Sequence, residues 1–173
     1  ILSLIFSAPV SAWCPNFTIL NIPSQVNLNN DISPVTNLRV SRTTSFSTCK
    51  FSFGFTRGSS SSYNRRIYSG INSISFSLAK NNSMSRVLMD VNDAYASNNY
   101  FKGRYKANKG GNTKSYNVYA ELDLTGNEAP GFYSDQFDIR VYQEFGPFNL
   151  YYGSWPITYT YTIPENIAVS LVD

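Results

Sequence analysis

The chain has 173 residues, with 14 Lys/Arg, 11 Asp/Glu, no histidine, 12 Phe and 13 Tyr. That length holds one sizeable domain with a real core, and a formal charge of +3 is too mild to point to nucleic acid. Without histidine, Ser-His-Asp and Cys-His catalysis and the commonest metal ligand are excluded within the chain. The opening Ile1–Ala12, ILSLIFSAPVSA, is apolar, too short to span a bilayer, and ends in small residues that suit signal peptidase. Residues 1–12 therefore read as the end of a secretory signal.

Short strands follow, separated by turn residues. Phe17–Ile22 and Leu38–Val40 are separated by Pro23 and Pro34. Phe46–Thr56 places Cys49, Phe51, Phe53 and Phe55 on one face, because side chains alternate along a strand. Arg57–Tyr63 is a polar loop. Ile71–Leu78 alternates Ile74, Phe76 and Leu78 with serines. Arg86–Val91 is expected as a strand with Val87, Met89 and Val91 inward. Asp93–Ser115 has no apolar period and two adjacent glycines, so it is expected as a long loop or solvent-facing hairpin. Tyr116–Leu124 buries Val118, Ala120, Leu122 and Leu124. In Gly131–Tyr142, GFYSDQFDIRVY, Phe137, Ile139 and Val141 alternate with Gln136, Asp138 and Arg140. The last candidate, Ile157–Ile163, alternates Ile157, Tyr159, Tyr161 and Ile163 with threonines. About seven such strands and no helix-period run predict an all-β, immunoglobulin-like antiparallel sandwich with long loops at one end.

The Gly-x-Tyr-x-Asp turn that opens Gly131–Tyr142 resembles the last conserved strand of the spore coat protein U domain family. The ordered landmarks before it extend the likeness over residues 13–145. They are Cys14, Cys49 in CKFSFGF, the turn Tyr63-Asn64-Arg65-Arg66, and Ile74-Ser75-Phe76-Ser77-Leu78 in place of a Tyr-x-Val-Tyr strand. The resemblance implies a subunit of archaic chaperone–usher pili, with other pilus subunits, a periplasmic chaperone and an outer-membrane usher as partners. It implies export through the periplasm to the cell surface. In that oxidising setting the two cysteines, Cys14 and Cys49, allow one intramolecular disulfide. It would stabilise by roughly 3–4 kcal/mol.

The resemblance also sets expectations for the chain ends. A shaft subunit of this family lacks its final strand and receives a neighbour's N-terminal extension by strand addition. Here only Trp13 stands between the signal and Cys14, while Ile157–Ile163 is a candidate final strand. Residues 13–163 therefore read as a self-completing adhesin domain of a tip subunit. Residues 164–173 read as a linker and, from Ile167-Ala168-Val169, the truncated start of a second pilin domain.

Chemistry is sparse. Glu121 and Asp123 share the outward face of a strand, Asp135 is expected to cap its turn, and Gly110-Gly111 is turn chemistry. No catalytic residue, metal ligand or cofactor is expected, and the chain does not read as an enzyme. Binding is expected at three loops sharing one end of the sandwich, 57–70, 93–115 and 144–156. The last concentrates Phe148, Leu150, Tyr151, Tyr152 and Trp155; the middle one interleaves Tyr100, Phe101 and Tyr105 with Lys102, Arg104 and Lys106; the first supplies Arg65. Between Arg57 and Lys114 there are ten Lys/Arg against two acids, Asp90 and Asp93. The expected function is surface attachment, abiotic or cellular, through these aromatic and basic tips, with no nucleic-acid partner. A non-adhesive shaft or connector subunit and a secreted carbohydrate-binding module are the alternatives.

Overall fold

A computed structural model describes residues 17–42, 47–93, 96–107, 113–145 and 147–165. The expected signal, residues 1–12, the start of a second domain from Ile167, and Cys14 lie outside the described residues. Cys49 is buried and disulfide-bonded.

Ten strands and no helix make up the described fold. They are β1 (Phe17–Leu20), β2 (Gln25–Asn27), β3 (Ser33–Arg42), β4 (Cys49–Phe55), β5 (Arg65–Ser69), β6 (Asn72–Ala79), β7 (Phe101–Tyr105), β8 (Lys114–Asp123), β9 (Gly131–Phe145) and β10 (Phe148–Ile163). Hydrogen bonding runs β1-β3-β8-β6-β5-β9-β10-β2, and β4 lies between β7 and β9. All pairings are antiparallel except β10 with β2. The result is an immunoglobulin-like all-β sandwich. Its first stretch reaches both ends of this strand order: β1 pairs with β3, and after Asn21 in the left-handed region and Pro23, β2 pairs with β10.

The alternation carries the core. Phe51, Phe53 and Phe55 of β4, Ile74, Phe76 and Leu78 of β6, and Phe137, Ile139 and Val141 of β9 are all buried. Aromatic rings close it in two groups. Phe76, Phe137 and Tyr159 stand 5.3–5.5 Å apart in a triangle. Phe53 meets Phe101 at 4.9 Å and Tyr116 at 5.0 Å. Each buried Phe or Tyr contributes about 1.5–3 kcal/mol from apolar burial, with a further ~0.5–1.5 kcal/mol for a well-placed ring pair.

β10 is docked in its own sandwich. It pairs with β9 from Phe148↔Phe145 to Ile163↔Gly131, and it buries Ile157 and Tyr159 completely. On its other edge β2 covers Thr158–Thr160, fixed further by Leu28 N–H to Thr160 O at 2.8 Å and Thr158 N–H to Ser24 O at 3.0 Å.

Several expectations need correction. The segment 86–91 is not a strand: it makes one bridge, Ala79↔Val87. Its backbone is satisfied by different elements, with Leu88 N–H donating to Leu78 O, Met89 N–H to Asn99 O, and Met89 O accepting from Phe55 N–H. Leu88, not Val87 or Met89, is fully buried. The supposed loop 93–115 contains β7, docked on β4 in the register Cys49↔Tyr105 to Phe53↔Phe101. The supposed loop 57–70 contains β5. The supposed loop 144–156 is mostly paired strand, with the turn between Phe145 and Phe148.

The register also sets the 57–64 loop apart from the β9–β10 turn. Thr56 N–H donates to Asp138 O, and Ser59 N–H and Oγ each donate to the Asp135 carboxylate at 2.8 Å. Asp135 therefore fastens the 57–64 loop to the middle of β9 rather than capping its own turn. At about 3.3 Å per residue, the ten steps from Asp135 to Phe145 put this anchor roughly 33 Å from the β9–β10 turn.

Candidate functional site

The β9–β10 hairpin is 15 and 16 residues long on its two arms, and its two halves differ. At Thr158–Thr160 β10 has β9 on one side and β2 on the other, whereas from Phe148 to Trp155 the only strand paired with it among the described residues is β9. In this distal half Phe148 is 64% exposed, Leu150 46%, Tyr151 61% and Tyr152 42%. None of residues 148–156, FNLYYGSWP, is charged.

A bulge organises the site. The register passes from Tyr151↔Tyr142 to Gly153↔Val141, leaving Tyr152 as the extra residue. A bulge bends and twists its strand and re-aims the side chains around it. A β-carbon at Gly153 would meet the indole of Trp155 at 2.9 Å, so the ring would have to shift to admit one. Trp155 in turn stacks with Tyr152 at 6.3 Å and packs half-buried against the core. On the opposite face Tyr151 meets Tyr142 edge-on at 5.8 Å.

Tyr142 is pinned from behind. Its hydroxyl donates to Asp90 at 3.0 Å, and Arg140 donates to the same carboxylate at 2.9 Å. Burial, reinforced by the Asp90 charge, pushes the Tyr142 hydroxyl up to about 12. The β9 arm opposite Tyr151 and Ser154 is thus held by an ionic network, while β10 carries exposed apolar side chains there. Nothing in the sequence pattern marked Asp90 or Tyr142 for this role, because the partners come from segments 50 residues apart.

Of the basic and aromatic residues expected beside the hairpin, some belong to the interior. Phe101 and Tyr105 are 7% and 4% exposed. They face inward from β7, and Tyr105 donates its hydroxyl to Val40 O at 2.5 Å. Arg65 is fully buried on β5. It donates to Thr56 O at 2.8 Å, Phe55 O at 3.0 Å and Leu88 O at 2.8 Å, and burial lowers its pKa to about 10. It is a cationic staple for backbone carbonyls at the end of β4, just after it and at Leu88, not a surface group. Tyr100 is half-buried, with the Lys102 ammonium 5.0 Å over its ring. Lys102, Arg104 and Lys106 are exposed. The distal hairpin therefore carries Phe148, Leu150, Tyr152 and Trp155, with Tyr151 on its opposite face, while the cations occupy β7 and the stretch just after it.

Among the described residues no group of three His, Cys, Asp or Glu is placed to hold a metal ion, and no helix is long and apolar enough to cross a membrane.

Comparison with solved structures places this fold beside fimbrial subunits of enterotoxigenic Escherichia coli. CfaE, the adhesive subunit of CFA/I fimbria, aligns at 10% identity over 88% of this chain and 50% of its own, with a TM-score of 0.46. The CooA pilin subunit aligns at 14% identity over 87% of this chain and 100% of its own, with a TM-score of 0.45. The CssB subunit of colonization factor CS6, complemented with a donor strand from CssA, aligns at 14% identity over 86% of this chain and 97% of its own, with a TM-score of 0.39. No curated protein sequence matches the chain. The Spore Coat Protein U domain matches residues 16–140, from the stretch before β1 to the middle of β9, and the chain belongs to that family.

Proposed function

We propose that the chain is the adhesive domain of a pilus tip subunit and grips surfaces with the distal half of its β9–β10 hairpin. The observation that carries this reading is the run of exposed, uncharged Phe148, Leu150, Tyr151 and Tyr152 on a half-strand with one neighbour. Apolar groups clustered this way mark contact surfaces. Covering several hundred Å² of them would contribute on the order of several kcal/mol at ~25 cal/mol per Å². That force has no direction, so one site can hold many abiotic or cellular surfaces. A second observation supports the terminal position: β10 occupies the place beside β9 where a shaft subunit would need a neighbour's strand. Other pilus subunits, a periplasmic chaperone, an outer-membrane usher and export to the cell surface belong to the same reading.

The test replaces Phe148, Leu150, Tyr151 and Tyr152 with serine together and measures attachment of domain-coated beads to polystyrene under flow. Attachment falls at least tenfold while the melting temperature stays within a few degrees. Wild-type attachment by a folded quadruple variant would reject the proposal.

A further inference from the structure

A second surface lies on β7 and its surroundings, and its chemistry differs from the hairpin's. Lys102 and Arg104 alternate with buried Phe101 and Tyr105, so both point outward, and Lys106 is exposed one step past the strand. Neighbours at this alternation stand ~6.7 Å apart. Lys50 of β4 is exposed and sits directly opposite Arg104 in the β4–β7 register. At the start of β7, Lys102 donates to the Asn98 side chain at 2.7 Å and Lys80 to the Asn98 carbonyl at 2.8 Å, which brings two ammonium groups to one residue. Exposed Arg86 adds a third cation; with Lys102 it lowers the Lys80 pKa, although burial is the larger cause.

Two acids of this region are committed elsewhere. Asp93 is paired with Arg57, and Asp90 with Arg140. Glu144, one step past the last β4–β9 pair, is the nearest carboxylate in register. Six cations, Lys50, Lys80, Arg86, Lys102, Arg104 and Lys106, thus surround one edge of the sandwich.

We infer that this β7 face binds a linear polysaccharide bearing sulfate or carboxylate groups, which the row of cations engages along its length. The aromatic environment favours a sugar polymer over single-stranded nucleic acid. Base binding needs open ring faces for stacking, whereas Phe101 and Tyr105 are buried and the Tyr100 ring carries the Lys102 ammonium. This surface is separate from the hairpin and goes beyond the surface-gripping reading.

The test is binding of the full chain to heparin, polygalacturonate, neutral dextran and a 20-nucleotide single-stranded DNA across a salt series. Binding to heparin or polygalacturonate, or both, with affinity falling as salt rises supports the inference, and the two arms tell sulfate from carboxylate recognition. Lys102→Gln with Arg104→Gln weakens it about tenfold and makes the log–log salt slope shallower by about two. Arg39→Gln with Arg66→Gln, an equal charge change at exposed sites on β3 and β5, leaves it unchanged. The quadruple serine variant of the hairpin also leaves it unchanged, so failure here is distinct from failure of the hairpin proposal. Equal losses in the two double variants, dextran binding as tight as heparin binding, or DNA binding tighter than either polyanionic polysaccharide would overturn the inference.

Discussion

The two halves of β10 obey one alternation and meet different surroundings. Near its C-terminal end Ile157 and Tyr159 enter the core, Tyr159 against Phe76 and Phe137, and β2 closes the outer edge at Thr158–Thr160. Toward the turn Phe148 and Leu150 continue a strand with nothing paired to its outer edge among the described residues, and they remain exposed. Hydrophobicity alone does not decide burial; the partner strand does. Where β2 runs alongside, an aromatic is structural, and where β2 has turned away toward β1, an aromatic is available for contact. An uncharged strand with an open edge is ordinarily a pairing hazard that charges, prolines or bulges blunt. Here the bulge at Tyr152 and Pro156 serve that purpose.

Substitutions can break this contrast, beginning in the body. Tyr159→Ala removes a ring shared by Phe76 and Phe137 and should cost about 3–5 kcal/mol, read as a fall of roughly 10 °C or more in a thermal melt. Arg65→Met should cost about 3 kcal/mol, because the carbonyls of Phe55, Thr56 and Leu88 lose their donor inside the fold; urea unfolding with an unchanged slope checks it. In the distal half Tyr151→Ser should change stability by less than about 0.5 kcal/mol while reducing polystyrene attachment by several-fold. The smallest effect sharpens the argument about the body. The Tyr159 hydroxyl is buried without a hydrogen-bond partner, so Tyr159→Phe should match or slightly exceed wild-type stability.

Much of the body is legible in the sequence wherever apolar residues alternate without interruption. β6 and the core of β9 follow their pattern; β4 turns Phe51, Phe53 and Phe55 inward but buries Ser52 and Gly54 as well, Leu124 after β8 is only half-buried, and in β10 Ile157 and Tyr159 are buried together with Thr160 while Tyr161 and Ile163 stay half-buried. What escapes is instructive. β7 hides because its middle inward position is Gly103, where the Phe51 ring and the Tyr116 hydroxyl already fill the space a β-carbon would need. β5 hides because a core position is held by Arg65, whose charge is balanced by carbonyls from other segments that no local pattern displays. Segment 86–91 looks like a strand, yet its backbone bonds go to three separate elements. The hairpin site lies between these cases. Its residues stand out as an aromatic cluster, but Pro147, Gly153 and Pro156 make a bulged strand resemble a loop, so its composition is visible and its geometry is not.

The most direct test of the central claim is amide hydrogen exchange on the folded domain, free and adsorbed to polystyrene beads. In the free domain Thr158–Tyr161 amides should exchange only through global opening, while amides in the Leu150–Ser154 stretch exchange faster. Adsorption should slow exchange in that distal stretch and leave the body unchanged. Rapid exchange across Thr158–Tyr161 in the free domain, or protection by the surface at β5 and β6 instead of the hairpin, would contradict a self-closed sandwich that grips with its projecting arm.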